Sequence, residues 1–336
     1  MYDVITIGTA TRDVFLQSPL FKVLKDPRHL EKLGFPTGEA QCFALGAKIE
    51  IGKPEFLIGG GAANAAVTFA RQGFRAGALA EIGADFIGAE ILKKLKKEGI
   101  HPLVVRDRKK KGTAWSAILL SPGGERTILN YRGASEDLAL RDLPFAKLNA
   151  KWAYIVPGKI PLAIIMRAIA ALRRKKAKIA MDPSKYYLNL GARRLRPILR
   201  ELDVITLNRE EAAYLTGVPY GNERAIFKKF DTLVKGIAVM HDGPRGVLVS
   251  DGRTIYRAGV FKEKKLVDRT GAGDAFGSGF VAGLARIQDI GYAIRLGSAN
   301  ATSVVEAIGA QAGILTKRRF ESEPRWRRLA ITRKIL

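Results

Sequence analysis

The segment 268–280, DRTGAGDAFGSGF, places three small residues and a carboxylate at the start of a predicted amphipathic helix. Gly271, Ala272 and Gly273 would leave several backbone N–H groups exposed at the positive end of that helix, which suits a transferring phosphoryl group. Asp274 at the same place would repel a phosphate unless it has a chemical task, and removing the proton from an attacking hydroxyl is such a task. Capping of the helix by Asp274 is the alternative that the segment leaves open.

A second group of residues has the types needed to bind a polyol. Gly59, Gly60 and Gly61 lead into a predicted helix and would let a ligand approach the backbone. Asn64, one turn later, can both donate to and accept from neighbouring hydroxyls. Asp13 follows the first predicted strand, at the edge where α/β sheets bind ligands, with a simple turn residue as the open alternative. The chain has neither a dinucleotide fingerprint nor a G-x-x-x-x-G-K-S/T loop, so any nucleotide must be bound in another way.

A third pattern could organise a metal ion. Asn208 and Glu211 follow a predicted strand and stand at i and i+3, on one face of a helix start. Glu211 could reach Mg²⁺ through water, because Mg²⁺ keeps much of its hydration shell. The same spacing also predicts a capping box with Asn208 at the N-cap, and the two roles are compatible.

The segment 239–246, VMHDGPRG, is a strand followed by a glycine-rich turn. Gly243 and Gly246 make this turn suitable for a ribose or a phosphate. His241 has no partner carboxylate in the pattern, so we interpret it as a neutral, packed histidine without a chemical role.

The elements that must position these residues follow from apolar periodicity. Short β-branched runs alternate with longer amphipathic segments, which predicts a doubly wound α/β fold with a mostly parallel sheet covered on both faces. The predicted strands are 4–7, 77–82, 152–156, 178–181, 204–207, 237–241 and 247–250, and the predicted helices are 62–72, 87–98, 162–175, 209–216, 272–286 and 290–307.

Two stretches, about 10–58 and 101–133, break this alternation. The second reads as TAWSAILL and RTILNY around the turn SPGGE, which predicts a β-hairpin. We expect the two stretches to form a small β-sheet lid over the ligand crevice of one α/β domain spanning residues 1–316. Residues 317–336 are basic, with Trp326 as their only large anchor, and we interpret them as a surface helix or a partly ordered extension.

The composition indicates a folded globular protein without specific nucleic-acid or membrane partners. The 336 residues are 47% hydrophobic, yet no apolar run reaches the length of about 18 residues that a membrane span needs. One cysteine, Cys42, excludes an internal disulfide, and no signal-peptide pattern precedes the first strand, so we expect a cytoplasmic protein. The net charge of +25 is scattered over several clusters and accompanies no known DNA- or RNA-binding motif.

In order and spacing, these motifs, with GADFIG at 83–88 and YRGA at 131–134, resemble the ribokinase-like (PfkB) carbohydrate kinase family over about residues 3–312. The signature D-x-T-G-A-G-D is matched at every specified position from Asp268 to Asp274. The resemblance implies a Rossmann-like core with a β lid, ATP and Mg²⁺ as cosubstrates, and a sugar or nucleoside as the small-molecule acceptor. In some members a monovalent cation binds near the position of Asp268. A homodimer through the lid is a further open expectation.

The resemblance also assigns roles to individual residues. It makes Asp274 the catalytic base, and it looks to residues 297–304, GSANATSV, for a helix start on the adenine side. The residues assigned are Gly271, Ala272 and Gly273 for the anion hole; Asp13, Gly60, Gly61 and Asn64 for the acceptor; Asn208, Gly243, Gly246, Thr270 and Asn300 for the nucleotide; Glu211 for Mg²⁺ through water; and Asp268 for the monovalent cation.

Three departures concern the acceptor and the nucleotide rather than the reaction type. Ribokinases proper usually carry lysine where Gly61 stands, the segment 18–55 is longer than expected, and the family often has threonine where His241 stands. A furanose-type sugar kinase and a nucleoside kinase therefore both stay open, with a non-catalytic ligand or nucleic-acid binder as a third class. An aromatic-lined pocket would favour the nucleoside; the candidates for such a lining are Phe15, Phe43, Trp115 and Tyr131.

Overall fold

A computed structural model describes residues 1–33, 38–107, 109–121 and 126–335. All the strands and helices predicted from periodicity are present, with bounds that differ by at most two residues. The strands are β1 (Tyr2–Gly8), β2 (Thr11–Gln17), β3 (Lys22–Lys25), β4 (Glu39–Cys42), β5 (Glu55–Gly59), β6 (Ala76–Ile82), β7 (His101–Pro102), β8 (Val105–Arg106), β9 (Trp115–Leu120), β10 (Arg126–Tyr131), β11 (Ala150–Val156), β12 (Lys178–Met181), β13 (Val204–Asn208), β14 (Ile237–His241), β15 (Val247–Ser250), β16 (Thr254–Ala258) and β17 (Ile331–Ile335). The helices are α1 (Pro27–Lys32), α2 (Gly61–Arg71), α3 (Phe86–Lys97), α4 (Leu162–Arg174), α5 (Lys185–Leu188), α6 (Gly191–Leu199), α7 (Arg209–Thr216), α8 (Glu223–Leu233), α9 (Ala272–Ile287), α10 (Ile290–Val305) and α11 (Lys317–Ser322).

The largest sheet has 11 strands within the described ranges, in the order β17-β16-β15-β14-β13-β12-β11-β1-β6-β7, with β8 also beside β6. The strands from β6 through β1 and β11 to β14 are parallel, whereas β14 to β17 are antiparallel. The strand order reverses at β1, which has β6 on one side and β11 on the other. A crevice opens at such a reversal in α/β sheets. The predicted doubly wound, mostly parallel fold is confirmed.

Helices cover both faces of this sheet, and the alternation of side chains along each strand separates two cores. In β1, Val4 packs into the core beneath α2, α9 and α10, whereas Ile5 and Ile7 pack into the core beneath α4, α6 and α8. Because neither face is left to solvent, the parallel strands are nearly continuous apolar runs. In the described part of the chain, no helix combines the length and apolar character needed to cross a membrane.

A second sheet of four strands, in the order β10-β9-β2-β5, is the lid. It draws its strands from both stretches that break the alternation, and β9 pairs antiparallel with β10 as the hairpin prediction requires. The predicted Pro-Gly-Gly turn, residues 122–124, lies outside the described residues. β7 and β8 pair with β6 of the large sheet, so the lid begins later than residue 101. The homodimer through the lid stays a prediction.

The C-terminal segment differs from the surface helix or partly ordered extension that its basic composition predicts. After the short α11, β17 pairs antiparallel with β16 and becomes an edge strand of the large sheet. Trp326 is 1% exposed, its ring lies edge-on 5.2 Å from that of Phe261, and its Nε1 donates to Glu323 Oε2 at 2.9 Å. The local sequence could not show this, because the hydrogen bonds that hold β17 come from a strand about 75 residues earlier.

We expect Trp326→Ala to lower the free energy of unfolding by about 3 to 5 kcal/mol, because truncation of a buried aromatic residue leaves a cavity in the core. Urea denaturation followed by circular dichroism measures this change. Trp115, which is 40% exposed in the lid, supplies the matched control, and Trp115→Ala should cost much less. Equal losses in the two variants would show that the C-terminal segment is not part of the folded core.

Candidate active site

The candidate active site lies at the carboxyl ends of the parallel strands, where α9 begins. A cavity of about 210 Å³ lies under the lid strands and reaches Asp274; we call it the lid cavity. A cavity of about 510 Å³ is lined by the ends of β13 and β14; we call it the strand-end cavity. A Cβ on Gly273 would stand 3.7 Å from Cε1 of His241, which lines the strand-end cavity. The first turn of α9 therefore adjoins both cavities. The predicted site residues that line the lid cavity are Asp13, Gly60, Gly61, Asn64, Thr270, Gly271 and Asp274.

Asp274 is a half-buried carboxylate in the first turn of α9. Its Oδ2 accepts a hydrogen bond from Asn64 Nδ2 at 2.8 Å. Burial raises the pKa of Asp274, and the hydrogen bond from Asn64 opposes that rise. The N-cap of α9 is Gly271, with φ 77°, and no side chain caps this helix end, whereas the carboxylate of Asp274 accepts from Asn64 of α2. The helix-cap interpretation of Asp274 is not supported.

The amide of Asn64 is itself held from the other side. Its Oδ1 accepts from Gln311 Nε2 at 3.0 Å, so the nitrogen of the amide faces Asp274. Gln311 is 6% exposed and Asn64 is 5% exposed. Sequence reasoning missed Gln311, because it lies in an irregular segment 247 residues from its partner and belongs to no motif.

Asp13 lies inside the lid rather than in a turn. It is part of β2 and 8% exposed, and its Oδ1 accepts from Thr11 Oγ1 at 3.1 Å. Burial raises the pKa of Asp13 to about 6, and the nearby carboxylates of Asp274 and Asp268 add to the rise. A Cβ at Gly59, on the neighbouring strand, would stand 2.0 Å from Asp13 Oδ2. The first glycine of the triplet therefore makes room for this carboxylate.

The other two glycines of the triplet satisfy separate constraints. Gly60 has φ 90°, and a Cβ there would stand 2.6 Å from the carbonyl oxygen of Thr9. A Cβ on Gly61 would stand 2.3 Å from Val156 Cγ1 and 3.3 Å from Asp274 Oδ1. Val156 thus fills the space that a side chain at position 61 would need.

The lid contributes the outer wall of the lid cavity through alternate residues of paired strands. Ser116 and Ile118 of β9 face Asn130 and Ile128 of β10, and all four line the cavity. The lining is thus polar and aliphatic. The aromatic candidates for a base pocket are not part of it within the described residues; they are Phe15, Phe43, Trp115 and Tyr131.

At the strand-end cavity, Asn208 and Glu211 form the predicted capping box. Asn208 Oδ1 accepts from the Glu211 N–H at 2.8 Å, and Glu211 Oε2 accepts from the Asn208 N–H at 2.9 Å. Burial raises the pKa of Glu211, and the charges of Glu210 and Asp274 raise it further. The second oxygen of Glu211 has no role in the capping box, so a further ligand is compatible with it. Asn208 and Gly243 both line the cavity.

His241 packs against the first turns of α9. Burial lowers its pKa to about 4, and its ring packs at 5.7 Å from that of Phe276. Both observations agree with the interpretation of His241 as a packed histidine.

An acid that sequence reasoning missed stands at the same edge. Asp182 directly follows β12, and burial raises its pKa well above the ordinary value, with Glu211 and Asp274 adding to the rise. Its position after a buried strand was the available signal. In the described ranges, no three His, Cys, Asp or Glu side chains are close enough to one another to hold a metal ion by themselves.

The structure contradicts the assignment of Asn300 to the nucleotide. It is fully buried, its Nδ2 donates to the Ala275 carbonyl at 2.8 Å, and its Oδ1 accepts from the Leu315 N–H at 2.9 Å. Residues 297–304 lie inside α10, which begins at Ile290, so the predicted helix start is wrong. Asn300 ties three segments together and has no free amide group for a nucleotide.

Asp268, Thr270 and Gly246 shape turns around the site. Asp268 is 1% exposed and accepts from Thr270 Oγ1 at 2.7 Å, from the Thr270 N–H at 2.9 Å and from the Gly309 N–H at 2.9 Å. A Cβ on Gly246 would stand 2.0 Å from the Ala258 carbonyl oxygen, so this glycine permits a close backbone approach. The monovalent-cation role of Asp268 stays a prediction.

Comparison with known proteins gives one consistent result. Residues 37–317 match the family described as pfkB family carbohydrate kinase. A ribokinase from Haemophilus influenzae is 28% identical over 280 residues, which cover 78% of this chain and 86% of that protein. A cytidine kinase from Thermococcus kodakarensis is 28% identical over 269 residues, which cover 77% of this chain and 91% of that protein. The solved structure of an Arabidopsis thaliana ribokinase complexed with ribose and ATP has a TM-score of 0.77 at 18% identity, covering 97% of this chain and 99% of that chain, which shows the shared fold.

We expect Gly61→Ala to lower the free energy of unfolding by about 1 to 3 kcal/mol, because the added methyl overlaps Val156 in a packed interior. The double variant Gly61→Ala/Val156→Ala should be more stable than the sum of the two single changes predicts, and a urea-denaturation double-mutant cycle measures that coupling. Gly221→Ala is the matched control, since a Cβ there has no heavy atom within 4 Å. Strict additivity in the cycle would show that Val156 does not restrict position 61.

Proposed function

Because the chain belongs to the pfkB family of carbohydrate kinases, we propose that it transfers a phosphoryl group from ATP, with Mg²⁺, to a hydroxyl of a furanose-type sugar. The observation that carries this proposal is the position of Asp274. It is a half-buried carboxylate at the start of α9, at the end of a small polar cavity and beside a larger one. A base placed there can reach a hydroxyl in the lid cavity and a phosphoryl group at the helix end.

Asp274 is proposed to take the proton of the acceptor hydroxyl. Asn64 occupies Oδ2 of Asp274, whereas Oδ1 lies on the side of Gly61, which lines the lid cavity. The raised pKa makes the carboxylate a stronger base than an exposed aspartate. The hydroxyl oxygen then bonds to the terminal phosphorus of the donor as the bond from that phosphorus to its bridging oxygen breaks, and the proton stays on Asp274.

The first turn of α9 is proposed to hold the charge of the transferred group. The N–H of Ala272 is used within the turn, since it donates to the Arg269 carbonyl at 3.3 Å. The N–H groups of Gly273 and Asp274 have no backbone acceptor in the described part of the chain, as expected at the start of a helix. The N–H of Gly271 has no backbone acceptor there either, so the proposed anion hole uses Gly271, Gly273 and Asp274 and differs from the sequence assignment in replacing Ala272 by Asp274.

The strand-end cavity is proposed to receive the donor. It presents the amide of Asn208 and the backbone of Gly243, which are groups that suit phosphate oxygens, whereas the guanidinium of Arg209 is engaged by Asp242 and by the carbonyls of Tyr220 and Gly221. Mg²⁺ would neutralise charge on the donor phosphates. Asp182 and Glu211 would hold this ion. Both lie near enough to Asp274 for its charge to raise their pKa, but no three acidic, His or Cys side chains of the described residues are close enough to bind a metal ion directly. Contact through water molecules suits this spacing, because Mg²⁺ keeps much of its hydration shell.

The lid cavity favours a sugar as the acceptor. Asp13 and Asn64 can bind hydroxyls against the backbone of Gly60 and Gly61, whereas no aromatic residue of the described chain lines the cavity for a base. A nucleoside kinase is the second candidate, since one relative is named a cytidine kinase. Phosphotransfer assays across sugars, sugar phosphates and nucleosides, with ATP, GTP and ADP as donors, discriminate the two.

We expect Asp274→Asn to fold normally and to lower kcat by at least ~100-fold, because the amide keeps the shape of the side chain but cannot accept the hydroxyl proton. A coupled phosphotransfer assay with the best acceptor measures this loss. Asp251→Asn, at an exposed turn, is the matched control and should keep wild-type turnover. Near-native turnover by Asp274→Asn would remove this residue from the mechanism.

We expect the acceptor to bind more weakly as the pH falls through about 6, because Asp13 has a pKa of about 6 and its protonated form loses one hydrogen-bond acceptor. Well above that pH the Asp13 carboxylate is fully charged, so its ionisation should no longer change the dissociation constant of the acceptor. Calorimetric titration of the acceptor between pH 5 and 8 measures the dissociation constant. In Asp13→Asn the transition near pH 6 should vanish, and any pH dependence that survives belongs to another group, such as Asp274.

A further inference from the structure

We propose, on the basis of the function above, that the acceptor carries an anionic group, a carboxylate or a phosphate ester, and that Arg132 binds this group at the lid side of the lid cavity. The inference names the acceptor's charge class, which the polar lining by itself does not define.

Arg132 lies where it can bind one end of the acceptor. It directly follows β10 and continues the alternation in which Ile128 and Asn130 face the cavity. Among the described residues that line the cavity, Arg132 is the only cation, and Asp13 and Asp274 are the only anions. The cavity therefore has charged groups of both signs on its wall.

The guanidinium of Arg132 is only partly engaged by the protein. Its Nε lies 3.2 Å from Glu136 Oε1, and the side chain is 41% exposed. No residue in the described ranges accepts a hydrogen bond from its terminal nitrogens. A guanidinium has five N–H donors in a planar fork, which matches the two oxygens of a carboxylate or a phosphate.

Glu136 does not neutralise this corner of the site. The same Oε1 also lies 3.3 Å from Lys159 Nζ, so one carboxylate is shared by two cations. The three side chains together carry a net charge of +1 at the rim of the cavity. If Arg132 served only to hold Glu136, the ion pair with Lys159 would already do so.

The carboxylates of the cavity define how an anionic acceptor must enter. An anionic group near Asp274 or Asp13 would be repelled, whereas the same group beside Arg132 is attracted. The hydroxyl end of the acceptor therefore lies at Asp274 and the anionic end lies at Arg132. A neutral sugar would leave the terminal nitrogens of Arg132 to water.

The test compares kcat/KM for matched acceptors that keep the furanose ring and carry the anion on the same terminal carbon: D-ribose with D-ribose 5-phosphate and D-riburonate, and D-fructose with D-fructose 6-phosphate and D-fructuronate. We expect the wild type to prefer an anionic member by at least ~10-fold, and Arg132→Gln to lower that ratio by at least ~10-fold. Arg132→Lys should restore part of the ratio, more for a phosphate than for a carboxylate, because a point charge replaces the fork. Glu136→Gln is the control, and it should not lower the ratio because Arg132 is retained.

Binding gives a readout that does not depend on turnover. The same six compounds are added to the wild type and to Arg132→Gln, and the shift in the thermal unfolding midpoint is measured. An anionic compound should stabilise the wild type more than it stabilises Arg132→Gln. Equal stabilisation of the two proteins by the anionic compounds would overturn the inference. So would a neutral best acceptor whose kcat/KM falls in Arg132→Gln by the same factor as that of the anionic acceptors.

The two proposals fail in different ways. Phosphorylation without a preference for anionic acceptors overturns the role of Arg132 alone. An absence of phosphotransfer to every acceptor, together with Arg132-dependent binding of an anion, would instead overturn the kinase proposal and leave the anion site in place.

Discussion

The partial burial of a carboxylate, Asp274, at the positive end of a helix is the constraint on which the rest of the candidate site depends. A buried carboxylate without partners is costly, and here the pKa of Asp274 rises accordingly. The field at the start of α9 and the hydrogen bond from Asn64 offset part of that cost. Because Asn64 is held by Gln311, three separate segments must pack correctly for this one side chain to have a defined direction.

The glycine triplet shows how closely the lid and the central sheet approach each other. Gly59 makes room for the carboxylate of Asp13, Gly60 adopts a positive φ beside Thr9, and Gly61 lies against Val156. A pattern that looks like one flexible loop therefore meets three different steric demands. Val156 occupies the space beside Gly61 that a longer side chain would need.

Charge is distributed unevenly over the candidate site. Burial raises the pKa of Asp182, Glu211 and Asp274. The charges of Glu211 and Asp274 raise the pKa of Asp182 further, and the charges of Glu210 and Asp274 raise that of Glu211, so an added cation beside these carboxyls would be stabilised. On the acceptor side, Arg132 and Lys159 share Glu136 and leave a positive rim. The overall charge of +25 does not show this local arrangement, which only the tertiary structure defines.

The sequence by itself determined the alternation of strands and helices, the small-residue turn before Asp274 and the capping box of Asn208 and Glu211, because periodicity and spacing within a few residues encode them. Only the tertiary structure decided the contact of Asn64 with Asp274, the support from Gln311 and the pairing of β17, because these depend on hydrogen bonds between distant segments. It also reassigned Asn300, whose motif position indicated a nucleotide contact but whose amide is consumed by internal hydrogen bonds. A local pattern shows which groups a segment offers, whereas the fold decides which of those groups remain free.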